Sequence, residues 1–241
     1  MKVVLTNRGH DIEQLEPSLL KQFAQEHLGL AADQNLMALA EIVQSEISIS
    51  TLVGLELEQA YHWLQMATDF LSYRADEVKV ELRQLEGADR YFLFCNTQDA
   101  NHIFSSIQEY LHRQSLQFRA VCHPIISLQR QDGKLIDLKA NEVEGTRESF
   151  VWILLERLPE TLTTNLKRDM TAILNAALQI SRDRQATHAR IDQLRLVPEL
   201  ARYDALFDWL LEDNYIPVAY RTYLLDEKRQ GKAVDDRPET S

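Results

Sequence analysis

The sequence predicts an α+β fold: an antiparallel sheet with helices on one face, preceded by a small helical region. Three observations carry that expectation. First, residues 150–155 are apolar at every position, so Phe150, Trp152 and Leu154 face one way and Val151, Ile153 and Leu155 the other. A strand apolar on both sides belongs in the middle of a sheet covered on both faces. Second, Asp132-Gly133 separates two apolar runs, a strong hairpin signal because glycine tolerates φ > 0 without steric penalty. Third, from Tyr91 onward the patterns read strand, helix, strand, strand, helix and, after an extra helix, strand. That βαββαβ order is the ferredoxin-like split unit.

Taken in order, residues 2–5 (KVVL) read as a short strand or a tail. From Pro17, Leu19, Leu20 and Phe23 recur at helical spacing until Gly29 stops them. Leu36, Leu39, Ala40 and Val43 form a second stripe, and Leu57, Ala60, Tyr61, Leu64, Ala67 and Phe70 a third. Residues 1–75 are therefore a helical region with modest apolar stripes, which should pack on the strands C-terminal to it. The period then changes to 2. Val78, Val80 and Leu82 alternate with Lys79, Glu81 and Arg83, a half-buried strand that opens an α+β domain spanning residues 76–225.

After a turn at Gly87-Ala88-Asp89, residues 91–95 are a compact apolar strand, and Ile103, Phe104, Ile107, Tyr110 and Leu111 mark a helix. Leu162, Leu166, Met170, Ile173, Ala177 and Ile180 predict a long helix that continues, more polar, toward Leu194. Pro198 suits the first turn of another, carrying Leu200, Tyr203, Phe207 and Leu210. Alternating Ile216, Val218, Tyr220 and Thr222 predict a last strand of the same sheet, and the charged residues 226–241 a polar tail or truncated linker. Helices on one face leave the other face of the sheet bare, which would expose a large apolar patch. Two covers are available: the helices of residues 15–73, or a second copy of the chain.

The net charge of -11 argues against nucleic acid or an anionic membrane as partner, since phosphate binding needs clustered Lys and Arg. With seven glycines and no GxGxxG or GxxxxGK[ST], a phosphate-cradling turn is not indicated, and no cofactor is expected on this chain. The histidines show no HxxxH or HExxH spacing and there is no CxxC, so no metal site is assigned. No GxSxG elbow occurs and no catalytic residue is assigned. Cys95 and Cys122 read as core thiols of a reducing compartment. They are placed on parallel strands with another strand between, too far apart to bridge. No apolar run is long enough to span a membrane and no signal pattern opens the chain, so a cytoplasmic location is expected.

Two clusters of residues carry a more specific likeness. His123-Pro124-Ile125, Arg130, Asp132-Gly133 and Leu135, followed by Glu148-Ser149-Phe150, form the first; Phe207, Trp209-Leu210, Asn214-Tyr215, Tyr220-Arg221 and Tyr223 form the second. In this order they resemble signatures in the N-terminal region of the large bacterial NAD-specific glutamate dehydrogenases, covering roughly residues 78–225 and none of that family's catalytic part. The resemblance implies an ACT-like regulatory module, which agrees with the βαββαβ order. It also implies partners: a catalytic glutamate dehydrogenase domain or chain, self-association, and an amino-acid effector. An effector would lie at Asn96, Thr97, Gln98, Asp99 and Asn101, where helix N-terminal N–H groups can receive a carboxylate. The sequence departs from the family there and lacks a glycine for close approach, and a plain N-cap is the role favoured for Asp99 or Thr97. His123-Pro124, inside a strand region, is either a shape-determining kink or a plain strand irregularity.

Overall fold

A computed structural model describes residues 17–27, 33–46, 57–85, 89–139, 145–215, 217–218, 222–225 and 231–234. Residues 2–5, Gly29, Gly87, Ala88, Ile216, Tyr220 and Arg221 lie outside them. The chain divides into two compact units, residues 1–178 and 179–241. In the first, helices α1 (Pro17–His27), α2 (Gln34–Glu46) and α3 (Leu57–Leu71) precede strands β1 (Val78–Gln84) and β2 (Tyr91–Gln98). Helix α4 (Ile103–Arg113) leads to β3 (Phe118–Cys122), β4 (Ile125–Gln131), β5 (Lys134–Lys139), β6 (Thr146–Leu155) and the long helix α5 (Glu160–Gln193).

Strand β6 is the centre of the sheet. The order is β1-β2-β6-β4-β5, with β3 also paired to β6, and every pairing is antiparallel. Strand β2 and the β3–β4 line thus run parallel on either side of β6, and α4 crosses between them. That is the split crossing expected from the sequence. Cys95 and Cys122 are both free; they face Val151 and Trp152 from opposite sides of β6 and belong to cores on opposite faces of the sheet.

Both faces are covered, each by apolar helix stripes. On one, Phe150, Trp152 and Leu154 pack with Phe92, Phe94, Cys122, Ile126 and Leu128 against α1, α2 and α3. On the other, Val151, Ile153 and Leu155 join Val78, Val80, Leu93 and Cys95 against α4 and the first part of α5. Of the two covers available to the face that α4 and α5 leave bare, the N-terminal helices provide it.

The sheet ends differently from the sequence expectation. The position beside β2, taken by the last strand in a βαββαβ unit, belongs to β1, which comes from the N-terminal side. The reason is local: β1 and β2 form a short hairpin, and closing a short loop costs less entropy than recruiting a strand from beyond residue 215. The alternation expected to make that last strand instead ends in β7 (Thr222–Leu225), paired with β8 (Gly231–Val234) in a separate two-stranded sheet. β8 therefore lies in the stretch expected to be a polar tail.

The hairpin at Asp132-Gly133 forms as expected, with φ of 51° and 78°, both positive as a two-residue β-hairpin turn of this hand requires. A Cβ on Gly133 would lie 2.7 Å from the Arg74 carbonyl oxygen, so the turn also needs glycine for space. Across His123-Pro124 the register does not change: Cys122 faces Trp152, Ile125 faces Ser149, and the Phe150 amide still donates to the Pro124 carbonyl at 3.1 Å. Proline removes one ladder donor there without displacing the strand.

In the second unit, the distal part of α5 leads through two 3₁₀ segments to α6 (Asp204–Trp209) and one π-helical turn (Leu210–Asn214). Pro198 opens a 3₁₀ segment rather than an α-helix. Arg195 forms ion pairs with Asp192, Asp204 and Asp208, which tie the end of α5 to α6.

Candidate functional site

At residues 148 and 149, the run of apolar residues in β6 gives way to two buried polar ones, Glu148 and Ser149, each 1% exposed. They point to opposite faces, and each gathers its own cluster. The Glu148 carboxylate receives Arg74 Nη2 at 2.6 Å and Arg130 Nε and Nη2 at 2.9 and 3.0 Å. Arg130 also donates to the Leu71 and Gly133 carbonyls and to Asn96 Oδ1, and Arg74 to the Glu77 carbonyl. Asn96 completes the set by donating to the Ser149 carbonyl at 3.2 Å. Arg74 Nε is buried without a hydrogen-bond partner among the described residues. Burial opposes ionisation of Glu148, but the Arg130 hydrogen bonds and the two guanidinium charges outweigh it and hold the carboxyl below its ordinary range.

The cluster sits under the end of α3, whose last carbonyls would otherwise be unpaired. Arg130 reaches the Leu71 carbonyl and Lys79 Nζ those of Phe70 and, just past the helix, Tyr73, while Arg83 Nη1 reaches Met66 one turn inside it. Cations at a helix C-terminus also offset its partial negative charge. The polar side of β1, which alternation alone sends toward water, is thus spent on capping a helix. Burial pushes the Lys79 pKa down, and the nearby Glu81 carboxylate only partly restores it. The chain leaving α3 is also fastened to β5, through Arg74 N to the Gly133 carbonyl and Leu135 N to the Ser72 carbonyl, both at 2.8 Å.

On the other face, His123 Nε2 lies 2.9 Å from Ser149 Oγ, and the imidazole stacks on Phe104 of α4 with centroids 5.0 Å apart. A Ser–His contact at this distance is the geometry of an activated nucleophile. Here the serine is closed off from any substrate by burial, so the pair acts as a tie between β6 and the strand break.

The five residues expected to form an effector loop divide. Asn96, Thr97 and Gln98 belong to β2, and Asn96 and Thr97 are buried; Asp99 and Asn101 lie in the connection to α4. Neither Asp99 nor Thr97 caps α4. The N-cap is His102 at φ 66°, with no side-chain cap bond, while Asp99 pairs with Arg147 at 3.2 Å and Thr97 Oγ1 donates to the Gln98 carbonyl. The strand outlasts its apolar residues because β6 supplies a ladder partner as far as Gln98.

The first signature cluster, by contrast, is brought together: His123, Pro124, Arg130, Asp132, Gly133, Glu148, Ser149 and Phe150 all meet at this end of the sheet. Of the second cluster, Phe207 is buried, Trp209 and Tyr223 are exposed, and Tyr220 and Arg221 lie outside the described residues. Sequence reasoning missed Arg74. Its one signal, a basic residue just past a helix end, is too common to single it out. Among the described residues there is no group of three or more His, Cys, Asp or Glu side chains placed to hold a metal ion. None of the helices among them is long and apolar enough to cross a membrane. Comparison of the chain with models of known protein families and with curated proteins gave no match.

Proposed function

We propose that the chain is a non-catalytic regulatory or structural ACT-like module that works beside the catalytic part of an NAD-specific glutamate dehydrogenase in the cytoplasm. One observation supports this reading above the rest. Residues matched to that family's signature on neighbouring strands, His123, Arg130, Gly133, Glu148 and Ser149, take part in two buried polar clusters at one end of the sheet. On this reading the chain brings no cofactor and no catalytic residue, and an amino-acid effector would meet the connection at Asp99 and Asn101.

The test is direct. Purified alone, the chain is expected neither to bind NAD at micromolar concentration in calorimetry nor to oxidise glutamate. Co-expressed with a catalytic glutamate dehydrogenase chain stripped of its own N-terminal region, it is expected to co-purify and change the rate of that enzyme. Tight NAD binding or glutamate oxidation by the chain alone would overturn the proposal. A second reading, a free-standing sensing or protein-interaction domain, draws on the exposed Trp209, Tyr215 and Tyr223 of the second unit. It is favoured if the chain binds an amino acid or a different protein but leaves the dehydrogenase rate unchanged.

A further inference from the structure

We draw no further inference here: the strongest candidate, the outer edge of strand β1, where a two-fold at Val80 would set Lys79 against Glu81 of a second copy, carries nothing, because Val80 is 3% exposed and nothing in the structure shows what covers that edge.

Discussion

The two faces of strand β6 are covered by different means. Toward α1–α3 the contacts are between rings: Trp63 lies edge-on to Phe92 at 4.9 Å, Phe70 stacks on Phe94 at 5.3 Å, and Phe94 on Phe150 at 6.2 Å. Toward α4 and α5 the core is mainly aliphatic, with Val151, Ile153 and Leu155 against Ile107, Leu111, Leu166, Met170 and Leu174. The polar ends differ as well, an ionic network on the aromatic side and a Ser149–His123 hydrogen bond on the aliphatic side. Connection length does not separate the two covers: α4 and α5 follow their strands closely, and α3 is joined to β1 by residues 72–77 alone. What separates them is the kind of contact, burial of aliphatic side chains on one face and ring geometry, ion pairs and capped carbonyls on the other.

The comparison can be broken most decisively by deleting residues 1–75. Removing the aromatic cover bares Phe92, Phe94, Phe150 and Trp152, so the truncated chain is expected to aggregate or bind a hydrophobic dye strongly. A monomeric, well-folded product in size-exclusion chromatography would show that this face needs no cover. Next in size is Glu148→Ala, which strands two guanidinium groups whose side chains are 11% and 12% exposed. Breaking such a buried pair costs about 3–5 kcal/mol, read as a fall in the urea midpoint. A loss below about 1 kcal/mol would mean that the network adds little beyond burial.

Ring geometry is tested by a pair of variants. Phe94→Leu gives up ring pairs with Phe70, Phe92, Phe150 and Trp152, about 0.5–1.5 kcal/mol for each beyond the area lost. Ile153→Leu, on the aliphatic face, should cost less than about 1.5 kcal/mol. Equal losses would remove the distinction between directional and non-directional cover. Ser149→Ala should be milder than Glu148→Ala, about 1 kcal/mol for one hydrogen bond.

The smallest effect near neutral pH concerns titration. Because the folded protein holds the Glu148 carboxyl below its ordinary value of 4.5, ionisation stabilises the fold above that value. This contribution is lost as pH falls through the lower, folded-state pKa. The stability gap between the native protein and Glu148→Gln should therefore be constant from pH 7 to about 5 and narrow in more acid solution. A gap unchanged down to about pH 3 would mean that folding does not lower the Glu148 pKa.

How much of this was legible depends on whether the signal was local. The two-sided apolar run of β6, the Asp132-Gly133 turn and the stripes of α3 and α5 are written in periods of 2 and 3.6, and each appears where the period places it. A period assigns a face but names no partner. Alternation at Lys79, Glu81 and Arg83 therefore gave the strand and missed the helix end that these cations serve. It also gave a strand toward Thr222 and missed that its ladder partner is β8. The start of the connection to α4 was misplaced for the same reason: polar Asn96 and Thr97 look like the end of a strand until β6 is known to pair with them. The Glu148 network was not legible, since an ion pair spanning 74 residues leaves no periodic trace.

The fastening of the α3 end to partners far along the chain sets an order of events during synthesis. Arg74 leaves the ribosome well before Glu148, 74 residues later, which at bacterial or eukaryotic elongation speeds is roughly 4–15 s. Through that interval α3 has neither Phe150 and Trp152 to pack on nor, for most of it, Arg130 to satisfy the Leu71 carbonyl. The nascent N-terminal block therefore waits with only the β1–β2 hairpin, through Phe92 and Phe94, to cover its aromatic stripe. Completion of β6 both fills the ring contacts and delivers the carboxylate, so the helical block and the sheet are expected to become protease-resistant together, in one late step.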